Sequence, residues 1–149
     1  MDQPESDPVV IQAILLSDHV VREAGTGKLT LVGMFGAWNC PGFPFQTPSF
    51  FATAVLSNFQ PGTNMINVVL RVEQKQTGLV LVNSAARAQI PEGKITPKDI
   101  IEIPFKLPGI VIPQQGEYRV VVLANDEKIG ERHFIVNLAP PVQQLLPPT

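Results

Sequence analysis

A chain of 149 residues fits one domain and is long enough to bury roughly two thirds of the surface its unfolded form exposes, so no disulfide or metal is needed to hold a core. With 11 Lys and Arg against 13 Asp and Glu the net charge is -2, and the basic residues are scattered singly from Arg22 to Arg132, which argues against a nucleic-acid partner. The lone Cys40 excludes an internal disulfide. Met1 to Asp7 is acidic where a secretion signal is basic, and Gln12, Ser17 and Asp18 interrupt the next apolar run, so the expectation is a cytoplasmic protein with no membrane segment.

Alternation of period two runs through most of the chain, no helical period is sustained, and 15 prolines with 11 glycines punctuate it: the pattern predicts an all-β fold. Residues 1–8 are expected to be a disordered acidic segment, 9–138 the folded domain and 139–149 a proline-rich extended tail. The first strand runs from Val9 to Val21. Its consecutive Ile14, Leu15 and Leu16 call for a strand covered on both faces or a bulge that swaps them. Arg22 to Lys28 predicts a hairpin loop, because Gly25 and Gly27 take positive φ without a Cβ penalty. Leu29, Leu31, Gly33 and Phe35 then share one face of a second strand. In the loop from Gly36 to Pro48, prolines and glycines are expected to preclude regular structure. Phe50, Ala52, Ala54 and Leu56 line a third strand, and Pro61-Gly62 turns into the cleanest alternation, Ile66, Val68, Leu70 and Val72.

Gln76-Thr77-Gly78 turns into Leu79 to Gln89, whose small and polar Asn83-Ser84-Ala85-Ala86 mark an edge or a close crossing. Ile101 to Leu107 contains Pro104, which offers no ladder donor and so confines that strand to an edge or a bulge. Gly116-Glu117-Tyr118 opens the strand ending at Leu123 in the manner of a tyrosine corner, ring in the core and hydroxyl on nearby backbone. After the turn at Asn125 to Lys128, Ile129 and Phe134 are oddly spaced, so the last strand needs a bulge if both face inward, with Gly130 as its natural site. The sum is a single immunoglobulin-like, Greek-key β-sandwich of roughly seven to eight antiparallel strands.

The run from Ala13 to Leu29, Gly33-Met34-Phe35, Gly116-Glu117-Tyr118 and Ile129-Gly130-Glu131-Arg132-His133-Phe134 resemble a family of small bacterial β-sandwich proteins with a domain of unknown function. The resemblance spans most of the chain and implies a bacterial, cytosolic, immunoglobulin-like fold. It brings no activity, cofactor or catalytic residue. The loop around Trp38 and the proline-rich tail fall outside it.

Chemistry-bearing residues are sparse. His19 and His133 are the two histidines, neither paired at metal-ligand spacing, and one cysteine cannot build a zinc cluster, so no metal and no cofactor are expected. Asp18 and His19 are neighbours on a strand and point to opposite faces. Asp99 and Glu102 read as solvated carboxylates, and Cys40 between Asn39 and Pro41 lacks an activating partner. Gly25-Thr26-Gly27-Lys28 fails as a phosphate loop because a strand follows it where a helix is required. No catalytic residue emerges. One segment stays open: Trp38, Phe43 and Phe45, in or beside an irregular loop, form either a lid over the sandwich end or a recognition surface for a peptide or sugar. The expectation is a non-enzymatic protein-interaction or structural module, partnered by another protein or a second copy. A small-ligand or carbohydrate-binding domain, or a hydrolase with an unadvertised site, is the alternative.

Overall fold

The computed structural model describes residues 9–60, 62, 64–90 and 99–140. The expected acidic segment 1–8 and the tail from residue 141 onward lie outside them. Gly25 and Gly27 sit at φ of 92° and 70°, and the reversal they permit joins β1 (Val10–Arg22) to β2 (Leu29–Phe35). The chain continues through β3 (Ala37–Cys40), β4 (Phe45–Gln46), β5 (Phe50–Ser57), β6 (Met65–Gln74), β7 (Val80–Gln89), β8 (Ile101–Leu107), β9 (Val111–Ile112), β10 (Gly116–Ala124) and β11 (Glu127–Leu138). Asn125 and Asp126, both at positive φ, make the two-residue turn from β10 to β11, as the right-handed twist of a hairpin favours.

These strands form a four-stranded sheet in the order β2-β1-β5-β8, a five-stranded sheet in the order β3-β11-β10-β6-β7, and the small pair β4-β9. Between the two large sheets lie the inward halves of the alternations: Leu16, Ala52, Ala54 and Leu56 from one, Val68, Leu70, Val72, Val120, Val122 and Phe134 from the other. The clean alternation of β6 therefore marks a strand with one face in the core. Both strands read as edges are edges, Pro104 on β8 and the small residues on β7.

Tyr118 is fully buried, its hydroxyl donates to the Gln114 carbonyl at 2.6 Å, and its ring stacks on Phe134 with centroids 5.7 Å apart. The bulge falls where the odd spacing places it. Val122 pairs with Gly130 and Leu123 with Lys128, leaving Ile129 as the extra residue. A Cβ on Gly130 would collide with the Ile11 side chain across the sandwich, so the glycine also lets the sheets approach.

Two expectations need correction. Residues 36–48 are not irregular throughout, because β3 gains ladder partners from the far end of the chain, Ala37 to Cys40 lying beside Ile135 to Leu138. That ladder is parallel, so the strands are not all antiparallel. Nor is β1 covered on both faces by sheets. Ile14 and Leu16 enter the core, while Leu15 lies half-buried on the outer face of its own sheet, and the irregularity in β1 comes earlier, between Ile11 and Ala13.

Candidate functional site

Trp38 lies on β3, and its half-buried ring packs edge-on against Phe50 at 4.9 Å and Phe134 at 5.3 Å, with Phe35 at 5.0 Å. Phe43 and Phe45 are half-buried against the same core. Phe45 pairs with Ile112 in the β4-β9 ribbon, and Thr47 locks that ribbon down by donating its N–H to the Ile110 carbonyl and accepting the Ile110 N–H at its hydroxyl. All three residues pack against the sandwich core, Trp38 from β3 and Phe45 from the β4-β9 ribbon.

The remaining chemistry-bearing residues stay apart. Cys40 is a buried free thiol whose pKa burial raises, opposite to what a nucleophile needs. Asp18 lies against Gly33, while His19 stands opposite Val32 in the β1–β2 ladder. Asp99 and Glu102 are exposed at the head of β8. Among the described residues no three His, Cys, Asp or Glu side chains converge on a metal position.

Two surfaces escaped the sequence reading. The first is a chain of charges on the outer face of the five-stranded sheet, where β10 sets Arg119 directly between Glu73 and His133. The Arg119 guanidinium donates to Glu73 at 2.5 Å and stands 3.5 Å from Glu131, which also pairs with Lys128 at 3.3 Å. His133 Nδ1 lies 2.6 Å from Glu117 and its Nε2 3.5 Å from Glu131, and Lys75 holds the far side of Glu117 at 3.1 Å. Hydrogen bonds from His133 and then Lys75 lower the pKa of Glu117, and one from Lys128, aided by His133, lowers that of Glu131. These carboxylates are committed to pairs across three strands.

A pH dependence follows from those directions. A carboxyl whose folded pKa lies below its unfolded value of about 4.3 stabilises the fold fully above that value, and the contribution fades as pH falls toward the folded pKa. The melting temperature should therefore fall as pH drops below about 5, and Glu117→Gln together with Glu131→Gln should flatten that slope. Thermal melts across pH 3–6, a range set roughly by these carboxyl values, read it directly; identical slopes in both proteins would remove the assignment.

The second surface is the outer face of the four-stranded sheet. Its cross-strand rows run Met34–Ser17–Phe51–Lys106, then Leu15–Thr53–Pro104, then Ala13–Val55–Glu102. Met34 is 59% exposed, Leu15, Phe51, Val55 and Pro104 are half-buried, and Ser17 and Thr53 are buried between them. Apolar side chains from all four strands thus surround Ser17 and Thr53, with Lys106 and Glu102 at the β8 rim.

Two sheets whose larger member begins with a parallel edge strand, packed over a tyrosine corner, define an immunoglobulin-like β-sandwich. The chain belongs to the family of unknown function DUF6941, whose profile matches residues 12–137. Among solved structures it is similar to the alkylpurine DNA glycosylase AlkC of Pseudomonas fluorescens, bound to DNA containing an abasic site analog, at 14% identity and a TM-score of 0.45, over 87% of this chain. It spans only 30% of that glycosylase chain. It is also similar to an immunoglobulin-like protein from Pseudomonas aeruginosa, at 14% identity and a TM-score of 0.38, over 89% of this chain and 99% of that one. No curated protein matches it in sequence.

Proposed function

We propose that this protein is a non-enzymatic interaction module that docks a protein partner through the outer face of its four-stranded sheet. The observation that carries the reading is the group of apolar side chains Met34, Leu15, Phe51, Val55 and Pro104 set around the small Ser17 and Thr53, a patch of a kind that partners cover. Lys106 and Glu102 at its rim fix orientation more than they add affinity. The inward stacking of Trp38 favours this face over the aromatic loop as the contact surface. A cytoplasmic location is part of the reading and agrees with the buried, unpaired thiol of Cys40.

The test is a partner isolated by cross-linking in the native host and then purified. Met34→Lys should weaken its binding by about tenfold or more while leaving the melting temperature unchanged, because this side chain is mostly solvent-exposed in the isolated chain. Equal affinity of wild type and variant overturns the reading.

A further inference from the structure

Among the described residues, three of the four edges of the two large sheets carry devices that stop another strand from adding. Pro104 interrupts β8, Gly33 at φ of 70° bends β2 beside the Asp18 side chain, and β3 is four residues long. The fourth edge is different. β7 runs for 10 residues without proline or glycine, Arg87 is its one charge, and its one register shift is confined to its start, where Val82 pairs with Val72 but Val80 with Glu73.

The free side of β7 follows from the ladder. Ile90 N–H donates to the Asn64 carbonyl, and antiparallel pairs alternate between bonded and non-bonded, so Val82, Ser84, Ala86 and Ala88 turn their backbone groups toward β6. The alternation holds on the other flank of β6, where Asn125 N–H donates to the Asn67 carbonyl, away from β7. The N–H and C=O groups of Asn83, Ala85, Arg87 and Gln89 therefore point outward along the edge.

We propose that β7 is a self-association edge, on which a second copy of this chain lays its own β7 antiparallel about a two-fold axis through Ala85, joining the two five-stranded sheets into one. In this register the outward-bonding residues of each copy meet those of the other. Ala85 faces Ala85 and Asn83 faces Arg87, short of the register shift at the start of β7. No like charges oppose, and methyl groups at the axis permit the close approach of directly opposed strand residues.

The ends of the strand match as well. Leu79 and Val80, 51% and 44% exposed at the start of β7, come alongside the depression of about 460 Å³ lined by Asn64, Met65, Gln89 and Ile90 at its finish, and the symmetry makes that contact twice. An unrelated strand would satisfy the backbone edge without supplying this second match. The inference goes beyond the docking face on the other sheet and does not depend on it.

Sedimentation equilibrium of the full chain tests it with two variants. Ala85→Pro removes an outward N–H and none bonded to β6, and Ala85→Lys sets two like charges on the axis. A wild-type dimer is expected, weakened at least about tenfold in each variant, with the amides of Asn83, Ala85, Arg87 and Gln89 protected from hydrogen exchange in the dimer and not on dilution. If Ala85→Pro does not fold, Ala85→Lys decides. A wild-type chain still monomeric at about 1 mM, or a dimer equally tight in Ala85→Lys, overturns the proposal; so does a dimer abolished by Met34→Lys, which would place self-association on the other sheet.

Discussion

Tyr118→Ala will destabilise the fold by about 3–5 kcal/mol, the range for deleting a fully buried aromatic ring, whereas Tyr118→Phe will cost about 1 kcal/mol. The difference separates two contributions. The ring stacks on Phe134 and fills the space where β10 enters the core, so alanine leaves a cavity that strands fixed on both sides cannot collapse to fill. Phenylalanine keeps that packing and gives up only the hydroxyl donated to Gln114. Gln114 is exposed, so water can replace the lost donor at its carbonyl, which holds the second cost near a single neutral hydrogen bond. Urea melts report both values. A Tyr118→Ala midpoint equal to wild type would mean that the corner is not anchored here, and a Phe variant as damaged as the Ala variant would make the hydroxyl the anchor.

Tyr118 was legible because its signal is local. A glycine two residues ahead of a tyrosine at a strand head needs no knowledge of distant partners, and the same holds for the Gly25–Gly27 hairpin, the Asn125-Asp126 turn and the bulge implied by the spacing of Ile129 and Phe134. The proline rule placed Pro104 at an edge for an equally local reason. What escaped depends on register between strands far apart in sequence. β3 reads as loop because Pro41, Gly42 and Pro44 follow it closely and its partner lies nearly the whole domain away, Asn137 contacting Asn39 across 98 positions. The apolar outer face was hidden in a similar way. Phe51 and Val55 sit on the face of β5 opposite the core set, and only the alignment of β2, β1, β5 and β8 puts Met34, Leu15 and Pro104 beside them. The charge cluster likewise exists because β10 sets Arg119 between Glu73 and His133.

Trp38→Ala will lower folding stability by about 3 kcal/mol, and with it the melting temperature by on the order of 10 °C for a domain of this size. Its ring touches both sheets, Phe50 on β5 and Phe134 on β11, and it also packs on Phe35 at the end of β2, so its removal loosens the closure of the sandwich at three strands together. Edge-on aromatic contacts add to the area term, since the positive rim of one ring meets the negative face of the next. The half-buried state of the residue keeps the loss toward the lower end of the range for buried tryptophan. Trp38 fluorescence gives a second readout: the native ring should emit at short wavelength and resist quenching by acrylamide, and unfolding in urea should reverse both. If Trp38→Ala instead keeps full stability and loses binding to the purified partner, the ring is a recognition residue and the lid reading of Trp38, Phe43 and Phe45 falls.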